Sequence, residues 1–284
     1  MIITKIIGGL GNQLFQYAAG RCLAHLNSTT LKLDVTAFDE YKLRNFDLYN
    51  LNVTSQFASE HEISNLLPPT IWARARQRLL TVNKRHYYRE PYFHFHPKFH
   101  KASVNTYIKG YWQSEKYFLP IRNIISEELI FKPGVIDNVL NFGRELQKNQ
   151  SVSIHIRRGD YTNPVILKMH GILSVEYYQQ AIDYIRRQYE NAKFYFFSDD
   201  IEWVRNNLKV ENMEFISGRI SKTHYEDLFL MSMCQHNIIA NSSFGWWAAW
   251  LNKNPNKIVI GPKNWFNKGP KDTQDLFPPG WIRM

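Results

Sequence analysis

The feature that most constrains this chain is a short run of residues that is followed at once by two arginines and a glycine. The run is Ser151-Val-Ser-Ile-His-Ile156, and Arg157, Arg158 and Gly159 come next. β-Branched residues before a glycine predict a buried strand that emerges into a tight loop. Because ligands of open α/β sheets lie at the carboxyl ends of strands, we expect the arginine pair to border a crevice.

The chemistry of the arginine pair favours an anionic ligand. A guanidinium group is always charged, and its planar fork binds phosphate oxygens two at a time, which an ammonium group does less well. Two such groups at a strand end therefore predict a diphosphate clamp. The alternative is a surface ion pair in which Asp160 holds Arg157 or Arg158.

Downstream of the arginine pair, predicted strands and helices alternate. The strands are residues 193–197, 213–216, 237–240 and 258–260, and the helices are residues 175–190, 201–208, 225–234 and 246–251. This order indicates a parallel sheet with right-handed crossovers. Two more polar loops follow strands of that sheet, one with Ser198 and Asp199 and one with Asn241, Ser242, Ser243 and Phe244.

The loop from Asn241 to Phe244 precedes a helix, and that position suits an anion. Hydroxyl groups and backbone N–H groups at a helix N-terminus bind phosphate, so this loop is a second phosphate-binding candidate. Ordinary capping of the helix by Ser243 is the alternative.

The N-terminal half opens in a similar way. A strand at residues 2–7 leads into the stretch Gly8-Gly-Leu-Gly-Asn-Gln13 and then into a helical pattern, which is typical of phosphate-binding units. A dinucleotide-dependent oxidoreductase is the rival hypothesis, because Asp34 lies at about the right offset. The G-x-G-x-x-G pattern fails at Leu14, however, and the two side-chain amides that end the stretch suggest hydrogen bonds to a polar ligand such as a sugar.

Composition narrows the class of partner. The chain has 35 basic and 25 acidic residues and a net charge of +10, which favours nucleic acid, an acidic membrane surface or a phosphorylated small molecule. The basic residues are scattered, so nucleic acid is disfavoured. Cys22 and Cys234 lie far apart and indicate no disulfide framework, and no apolar run approaches the ~20 residues that span a bilayer. We therefore expect a cytoplasmic protein.

Residues 71–85 predict a basic amphipathic helix, with Trp72, Leu79 and Leu80 among several arginines. A solvated cationic face is the simplest interpretation. A patch that makes peripheral contact with the inner face of the membrane is the alternative.

Three alternating histidines follow this segment, at His94, His96 and His100. Alternating histidines can bind a metal ion, but no acidic or cysteine residue stands near them in the sequence. We expect exposed imidazoles and no metal site.

A polar turn at residues 148–150 leads into the strand that carries the arginine pair, and we place the domain boundary there. The predicted domains are residues 1–148 and 149–284. Since each half opens with a parallel strand and a polar loop, the predicted fold class is α/β with two facing Rossmann-like domains and a ligand in the cleft.

Five motifs, in order along nearly the whole chain, carry a family resemblance. They are residues 8–13 (GGLGNQ), 110–118 (GYWQSEKYF), 155–160 (HIRRGD), 197–200 (FSDD) and 241–247 (NSSFGWW). Together they resemble the bacterial α-1,2-fucosyltransferases, the form without a membrane anchor. The third and fifth motifs are more distantly similar to α-1,6-fucosyltransferases and protein O-fucosyltransferases.

The resemblance implies a GT-B fold and an inverting transfer of L-fucose from GDP-fucose to the 2-hydroxyl of a terminal galactoside on a glycan or oligosaccharide. It implies no cofactor and no divalent metal, with the C-terminal domain binding the donor and the N-terminal domain on the acceptor side. Fixed positive groups lower the barrier because negative charge grows on the leaving β-phosphate. A fucosyltransferase of another linkage and a non-catalytic carbohydrate-binding protein are the alternatives.

The resemblance also implies roles for single residues. Arg157 contacts the diphosphate, and Arg158 supports it or contacts donor or acceptor. Asp227 corresponds, by its distance from the Ser-Ser loop, to a carboxylate that reads guanine, and His155 borders the nucleoside. The arginines should lower the pKa of Asp160, which suits an orienting group better than a general base. The expected catalytic residues are Arg157, Arg158, Asp160 and Asn12, and the expected GDP-fucose site consists of Gly11, Asn12, Gln13, His155, Arg157, Ser198, Asp199, Asp227, Asn241, Ser242, Ser243 and Phe244.

Overall fold

The structure is a computed structural model that describes residues 1–40, 44–54 and 56–284. These residues form two compact units. Unit 1 comprises residues 1–132 together with 272–278, and unit 2 comprises residues 133–271 together with 279–284. None of the helices in the described part of the chain has both the length and the hydrophobicity that crossing a membrane requires.

Unit 1 contains four strands and five α-helices among its described residues. They are β1 (Ile2–Lys5), α1 (Leu10–Leu26), β2 (Leu31–Asp34), α2 (Ala37–Glu40), α3 (Glu60–Leu66), α4 (Ile71–Gln77), β3 (Tyr87–Arg89), β4 (Thr106–Lys109) and α5 (Arg122–Glu128), together with short 3₁₀ turns that include Val82–Lys84 and Glu115–Tyr117. The strands form a parallel sheet in the order β2-β1-β4-β3. The carboxyl ends of β1, β4 and β3 are therefore neighbours along one edge.

Unit 2 contains a larger sheet. Its elements are α6 (Leu140–Lys148), β5 (Ser151–Ile156), α7 (Pro164–His170), α8 (Val175–Arg186), β6 (Lys193–Ser198), α9 (Ile201–Asn207), β7 (Met213–Phe215), α10 (His224–Met233), β8 (His236–Ile238), α11 (Ser243–Leu251), β9 (Val259–Gly261) and β10 (Ile282–Arg283). The six strands are parallel in the order β10-β9-β8-β5-β6-β7. All of β5 is buried, since helices pack over its apolar residues and its neighbours β8 and β6 flank it.

The α/β fold class predicted from the alternation of strands and helices is confirmed, with one parallel sheet in each unit. The chain passes from unit 1 to unit 2 between Lys132 and Pro133, whereas the sequence placed the boundary at residue 148. The reason is the packing of α6, whose Gly143 lies against the ring of Phe229 in α10 so closely that an added Cβ would be 2.8 Å from it.

Two local predictions differ from the structure. The glycine-rich stretch is not a loop throughout, because α1 already begins at Leu10 and places Asn12 and Gln13 in its first turn. The helix predicted over residues 71–85 ends at Gln77, and the chain continues through tight turns to the buried Val82.

Candidate functional site

Five charged side chains meet where β5 and β6 end, and we call them the arginine–carboxylate cluster: Arg157, Arg158, Asp160, Asp199 and Asp200. The register of the two strands pairs Ile156 with Ser198, so the residues that follow each strand emerge side by side. Arg157 places Nη2 2.7 Å from Asp160 Oδ1 and Nη1 2.8 Å from Asp199 Oδ2, and Arg158 donates from Nε to Asp200 Oδ2 at 3.2 Å.

The guanidinium planes of the cluster are also held by aromatic rings. The Arg158 guanidinium carbon lies 3.9 Å from the ring centroid of Trp203, and that of Arg157 lies 5.7 Å from the ring of Tyr161. Asp200 in turn caps α9 by accepting the N–H of Trp203 at 3.2 Å. Stacking and ion pairing together fix the orientation of both arginines before any ligand binds.

The cluster contains two positive and three negative groups, so its own charge does not favour an anion. The ion pair between Arg157 and Asp160, the alternative explanation of the arginine pair, is present. A guanidinium group carries five N–H donors, however, and the two ion pairs of Arg157 leave donors for a further acceptor. Additional attraction for an anion must come from groups outside the cluster.

His155 lies beside the cluster and is 5% exposed. Its Nδ1 atom has no hydrogen-bond partner among the described residues, and its ring lies 5.6 Å from that of Phe244. Burial first, and the charge of Arg157 second, lower the pKa of His155 below its usual range, so the imidazole is neutral at pH 7. The close approach needs Gly245, where an added Cβ would lie 2.6 Å from Nδ1.

The N-terminus of α11 supplies donors near His155. Ser242 is the N-cap, with its Oγ accepting the N–H of Phe244 at 3.3 Å, and Ser243 is the first helical residue. Capping by Ser243 was the alternative to a phosphate-binding loop, and the cap lies one residue earlier, at Ser242. Asn241 turns its amide toward the loops behind it, donating to the carbonyl of His170 at 2.8 Å. It holds the loop in place, while its buried Oδ1 lacks a partner in the part of the chain that is described.

Asp227 lies in the first turn of α10, inside a network of serine hydroxyls. Ser217 donates to Oδ2 at 2.7 Å, and Ser221 donates to Oδ1. Ser198 belongs to the same network, since its backbone N–H donates to Ser217 Oγ at 3.0 Å. Burial raises the pKa of Asp227 to about 6, against the two hydroxyl donors, which lower it. The ring of His224 in the same turn lies 6.5 Å from Phe244, which brings Asp227 into the neighbourhood of α11.

Three residues of the expected GDP-fucose site, Gly11, Asn12 and Gln13, lie in unit 1. Two of them are buried and structural, and the third is half-buried. Gln13 is fully buried, and its amide donates to the carbonyls of Gly8 at 2.8 Å and Asn45 at 2.7 Å while accepting the N–H of Asp47 at 2.9 Å. These bonds use its polar atoms to tie two loops together, so Gln13 is a structural residue here, and Gly11 beside it is buried in α1.

Asn12 is half-buried, and its Oδ1 accepts a hydrogen bond from Gln113 Nε2 at 2.9 Å. The Oε1 of Gln113 is buried and has no partner among the residues described. These two amides follow β1 and β4, which are neighbouring strands.

Sequence reasoning missed Glu90, which follows β3 on the same edge. Its carboxylate accepts the N–H groups of Tyr111 at 2.7 Å and Trp112 at 2.9 Å, and burial raises its pKa to about 7. Trp112 adopts a φ of +56°, a conformation uncommon for residues other than glycine. The Gly-Tyr-Trp-Gln motif marked this loop in the sequence, but nothing in the motif indicated the acidic residue that holds it.

The three alternating histidines, His94, His96 and His100, each have a partner inside unit 1. His94 pairs with Asp272 at 2.8 Å, His96 with the hydroxyl of Tyr88 at 2.5 Å, and His100 with the carbonyl of Tyr117 at 3.1 Å. An acidic partner is thus present, although it comes from a distant part of the sequence. The described residues contain no group of three or more His, Cys, Asp or Glu side chains that could share a metal ion.

Comparison with known proteins places the whole chain in one family. The model of glycosyl transferase family 11 matches residues 1–284. An α-1,2-colitosyltransferase of Escherichia coli is 35% identical across 100% of this chain and 99% of its own length, and the O-antigen biosynthesis glycosyltransferase WbnK of E. coli is 33% identical across 98% of both. Galactoside α-(1,2)-fucosyltransferase 2 of Hylobates lar is 26% identical across 88% of this chain and 69% of its own.

Solved structures share the fold at low sequence identity. FUT1 of Arabidopsis thaliana, determined as a variant in complex with GDP, superposes with a TM-score of 0.57 at 11% identity, covering 93% of this chain and 71% of that one. The fucosyltransferase NodZ from Bradyrhizobium superposes with a TM-score of 0.51 at 12% identity, covering 87% and 91%. The GT-B fold class predicted from the sequence motifs agrees with these neighbours.

Proposed function

The chain belongs to glycosyl transferase family 11, and from this membership we propose that it transfers L-fucose from GDP-fucose to the 2-hydroxyl of a terminal galactoside, with inversion at the anomeric carbon. The observation that carries the proposal is the arginine–carboxylate cluster at the end of β5, which stands beside a neutral buried histidine and the N-terminus of α11. Relatives named for α-1,2 transfer and for galactoside acceptors support the linkage.

The proposed reaction requires hydrogen-bond donors at the leaving phosphate group. The bond between the anomeric carbon and the β-phosphate oxygen breaks, a bond from the acceptor oxygen forms on the opposite face, GDP departs with the bonding electron pair, and the acceptor hydroxyl loses its proton. Negative charge therefore grows on the β-phosphate in the transition state. The unused N–H donors of Arg157 would meet that charge, and Asp160 and Asp199 hold the guanidinium in position.

The N-terminus of α11 would contribute to the same diphosphate. Backbone N–H groups of the first turn and the hydroxyls of Ser242 and Ser243 are donors, and the helix dipole favours an anion there. Because the cluster itself carries more carboxylates than guanidinium groups, this second source of attraction is needed.

Asp227 would read the guanine base. A carboxylate can accept both N–H donors on the guanine edge while it keeps the hydroxyl hydrogen bonds of Ser217 and Ser221, since each oxygen has two lone pairs. On the acceptor side, the neutral amide of Asn12 would orient the acceptor hydroxyl or the fucose by hydrogen bonding.

A specific observation favours GDP-colitose as an alternative sugar donor. The α-1,2-colitosyltransferase of E. coli is similar along the full length of both chains. Colitose is L-fucose without the 3-hydroxyl, so the two donors differ by one hydrogen-bonding group. A site that hydrogen-bonds the 3-hydroxyl would discriminate strongly against the donor that lacks it.

The test incubates the protein with GDP-fucose or GDP-colitose and a panel of free galactosides, and follows GDP release and the linkage of the product by NMR. We expect an α-1,2-linked product with one donor clearly preferred. Arg157→Ala should abolish turnover, while Arg219→Ala, at a weakly paired surface position of unit 2, should not. Binding of galactosides without transfer from either donor would favour a non-catalytic carbohydrate-binding protein instead, and transfer to another hydroxyl would overturn the linkage.

A further inference from the structure

Four large apolar side chains of unit 1 point outward from α4 and the turn after it, and we call them the outward patch: Ile71, Trp72, Leu79 and Leu80. They are 79%, 83%, 87% and 40% exposed. A surface helix normally buries its apolar stripe against the core, yet α4 contributes no buried residue. The apolar surface of this segment is therefore left in water by the fold of the chain itself.

Polar bonds hold this segment in shape. Thr70 caps α4 by accepting the N–H of Ala73 at 3.1 Å. At the other end, the guanidinium of Arg85 donates to the carbonyls of Leu80 at 3.0 Å and Arg78 at 2.9 Å. The outward patch is thus presented on a fixed support, and its own side chains are free for a partner.

The sequence around the patch is uniformly basic. Residues 63–89 contain no acidic residue, and their basic residues are Arg74, Arg76, Arg78, Lys84, Arg85 and Arg89. The side chains of Arg76 and Arg78 are exposed and make no ion pair within the described part of the chain. Two requirements of an anionic membrane surface, exposed apolar side chains and basic ones beside them, are met on one short segment.

We propose that the outward patch docks this protein on the surface of an anionic phospholipid membrane, with Trp72 and Leu79 in the boundary between headgroups and acyl chains and Arg76 and Arg78 against lipid phosphates. Other partners fit less well. A nucleic acid would use the charges but leave the aliphatic side chains in water. A second copy of the patch would bring like charges together across a two-fold axis.

The test measures co-sedimentation of the full chain with vesicles of phosphatidylcholine alone or mixed with phosphatidylglycerol. We expect binding to the anionic vesicles only, weakened by salt, since each basic residue near such a surface strengthens binding by about fivefold. Arg76→Glu/Arg78→Glu should abolish it, and Trp72→Ser/Leu79→Ser should reduce it by at least about tenfold. The matched control is Lys148→Glu/Lys253→Glu, which makes the same charge change at exposed positions of unit 2 and should retain most binding.

Insertion is tested separately by lipids that carry bromine on their acyl chains. Quenching of tryptophan fluorescence is expected in the wild type and not in Trp72→Phe. Transfer to a free galactoside should be unchanged in the patch variants, because none of these residues belongs to the proposed site. The proposal is overturned if the control variant loses binding as fully as the patch variant, or if the patch variants change the oligomeric state and leave vesicle binding intact.

Discussion

The carboxyl edges of the two sheets follow the same backbone plan and carry different polar groups. At the edge of unit 2, the arginine–carboxylate cluster consists of charged side chains that are all partly exposed. At the edge of unit 1, Gln13 and Gln113 are buried amides, and Glu90 is buried enough that its pKa is raised to about 7. A parallel sheet thus fixes where polar groups gather, and the residues decide what they can bind.

The ionic groups of unit 2 and the neutral amides of unit 1 suit two different kinds of ligand. Partly exposed ionic groups, held in orientation by one another, suit a ligand whose charge changes during a reaction. Neutral amides suit the hydroxyl groups of a sugar, which need hydrogen bonds and carry no charge. Substitutions at the two edges should therefore have different effects on turnover and on stability.

The largest effect is expected from Arg157→Lys. Lysine keeps the positive charge, but a single ammonium group cannot pair with both Asp160 and Asp199 and still present a fork to a diphosphate. We expect kcat/KM to fall by about 100- to 1,000-fold, the usual loss for one oriented donor in an active site. Steady-state kinetics with GDP-fucose measure this, with circular dichroism to show that the fold is intact. Turnover near that of the wild type would contradict the role of Arg157.

Gln13→Ala should lower the free energy of unfolding and leave the transfer reaction unchanged. The substitution leaves the N–H of Asp47 and two backbone carbonyls without their partner inside the protein, which costs about 2–4 kcal/mol of the free energy of unfolding. Urea denaturation gives the loss, and kinetics at low temperature should show an unchanged KM for the donor. A large rise in the KM for GDP-fucose, with a normal free energy of unfolding, would show that Gln13 does take part in binding the sugar donor.

Asp227→Ala should change which nucleotide binds. Leaving one buried partner unpaired costs roughly 1–3 kcal/mol, which predicts about a tenfold preference for GDP over ADP in the wild type. The variant should weaken GDP binding and narrow that gap, whereas Arg157→Ala should weaken both nucleotides together. Calorimetric titration of both variants separates the two effects. If the full guanine preference survived in Asp227→Ala, Asp199 would be the next residue to test.

Stability should depend on pH through Glu90. Its pKa of about 7 in the folded protein lies above the usual 4.5, so the folded state binds a proton more tightly than the unfolded state does. The free energy of unfolding should therefore fall, by roughly 2–3 kcal/mol, as the pH rises from about 4.5 to about 7. Tyr88 and Tyr117 beside it have raised pKa values and stay protonated in this range. Glu90→Gln should remove this part of the slope in thermal denaturation curves, and an unchanged slope would exclude Glu90 as its source.

The smallest effect is expected from a chelator. The proposed leaving-group stabilisation uses guanidinium and backbone N–H donors of this chain, so turnover in excess EDTA should equal turnover without it. A loss of activity that manganese restores would show that the cluster acts with a metal ion.

Several features follow from the sequence without the fold. The βαβ order determined the parallel sheet of unit 2, and the position of Arg157 and Arg158 directly after β5 determined that they stand at its edge. Local patterns suffice for these because strand, turn and helix signals lie within a few residues of one another.

Which of these residues pair with one another depends on the tertiary structure alone. Asp199 reaches Arg157 because of the register between β5 and β6, and Gln13 is structural because Asp47 comes back to it from the next loop. The periodicity of residues 71–85 was that of an ordinary amphipathic helix, and only the fold shows that Trp72 faces outward. The physical reason is that a side chain's pKa, partners and exposure depend on atoms that are distant in sequence, and the spacing of residues along the chain carries no record of those atoms.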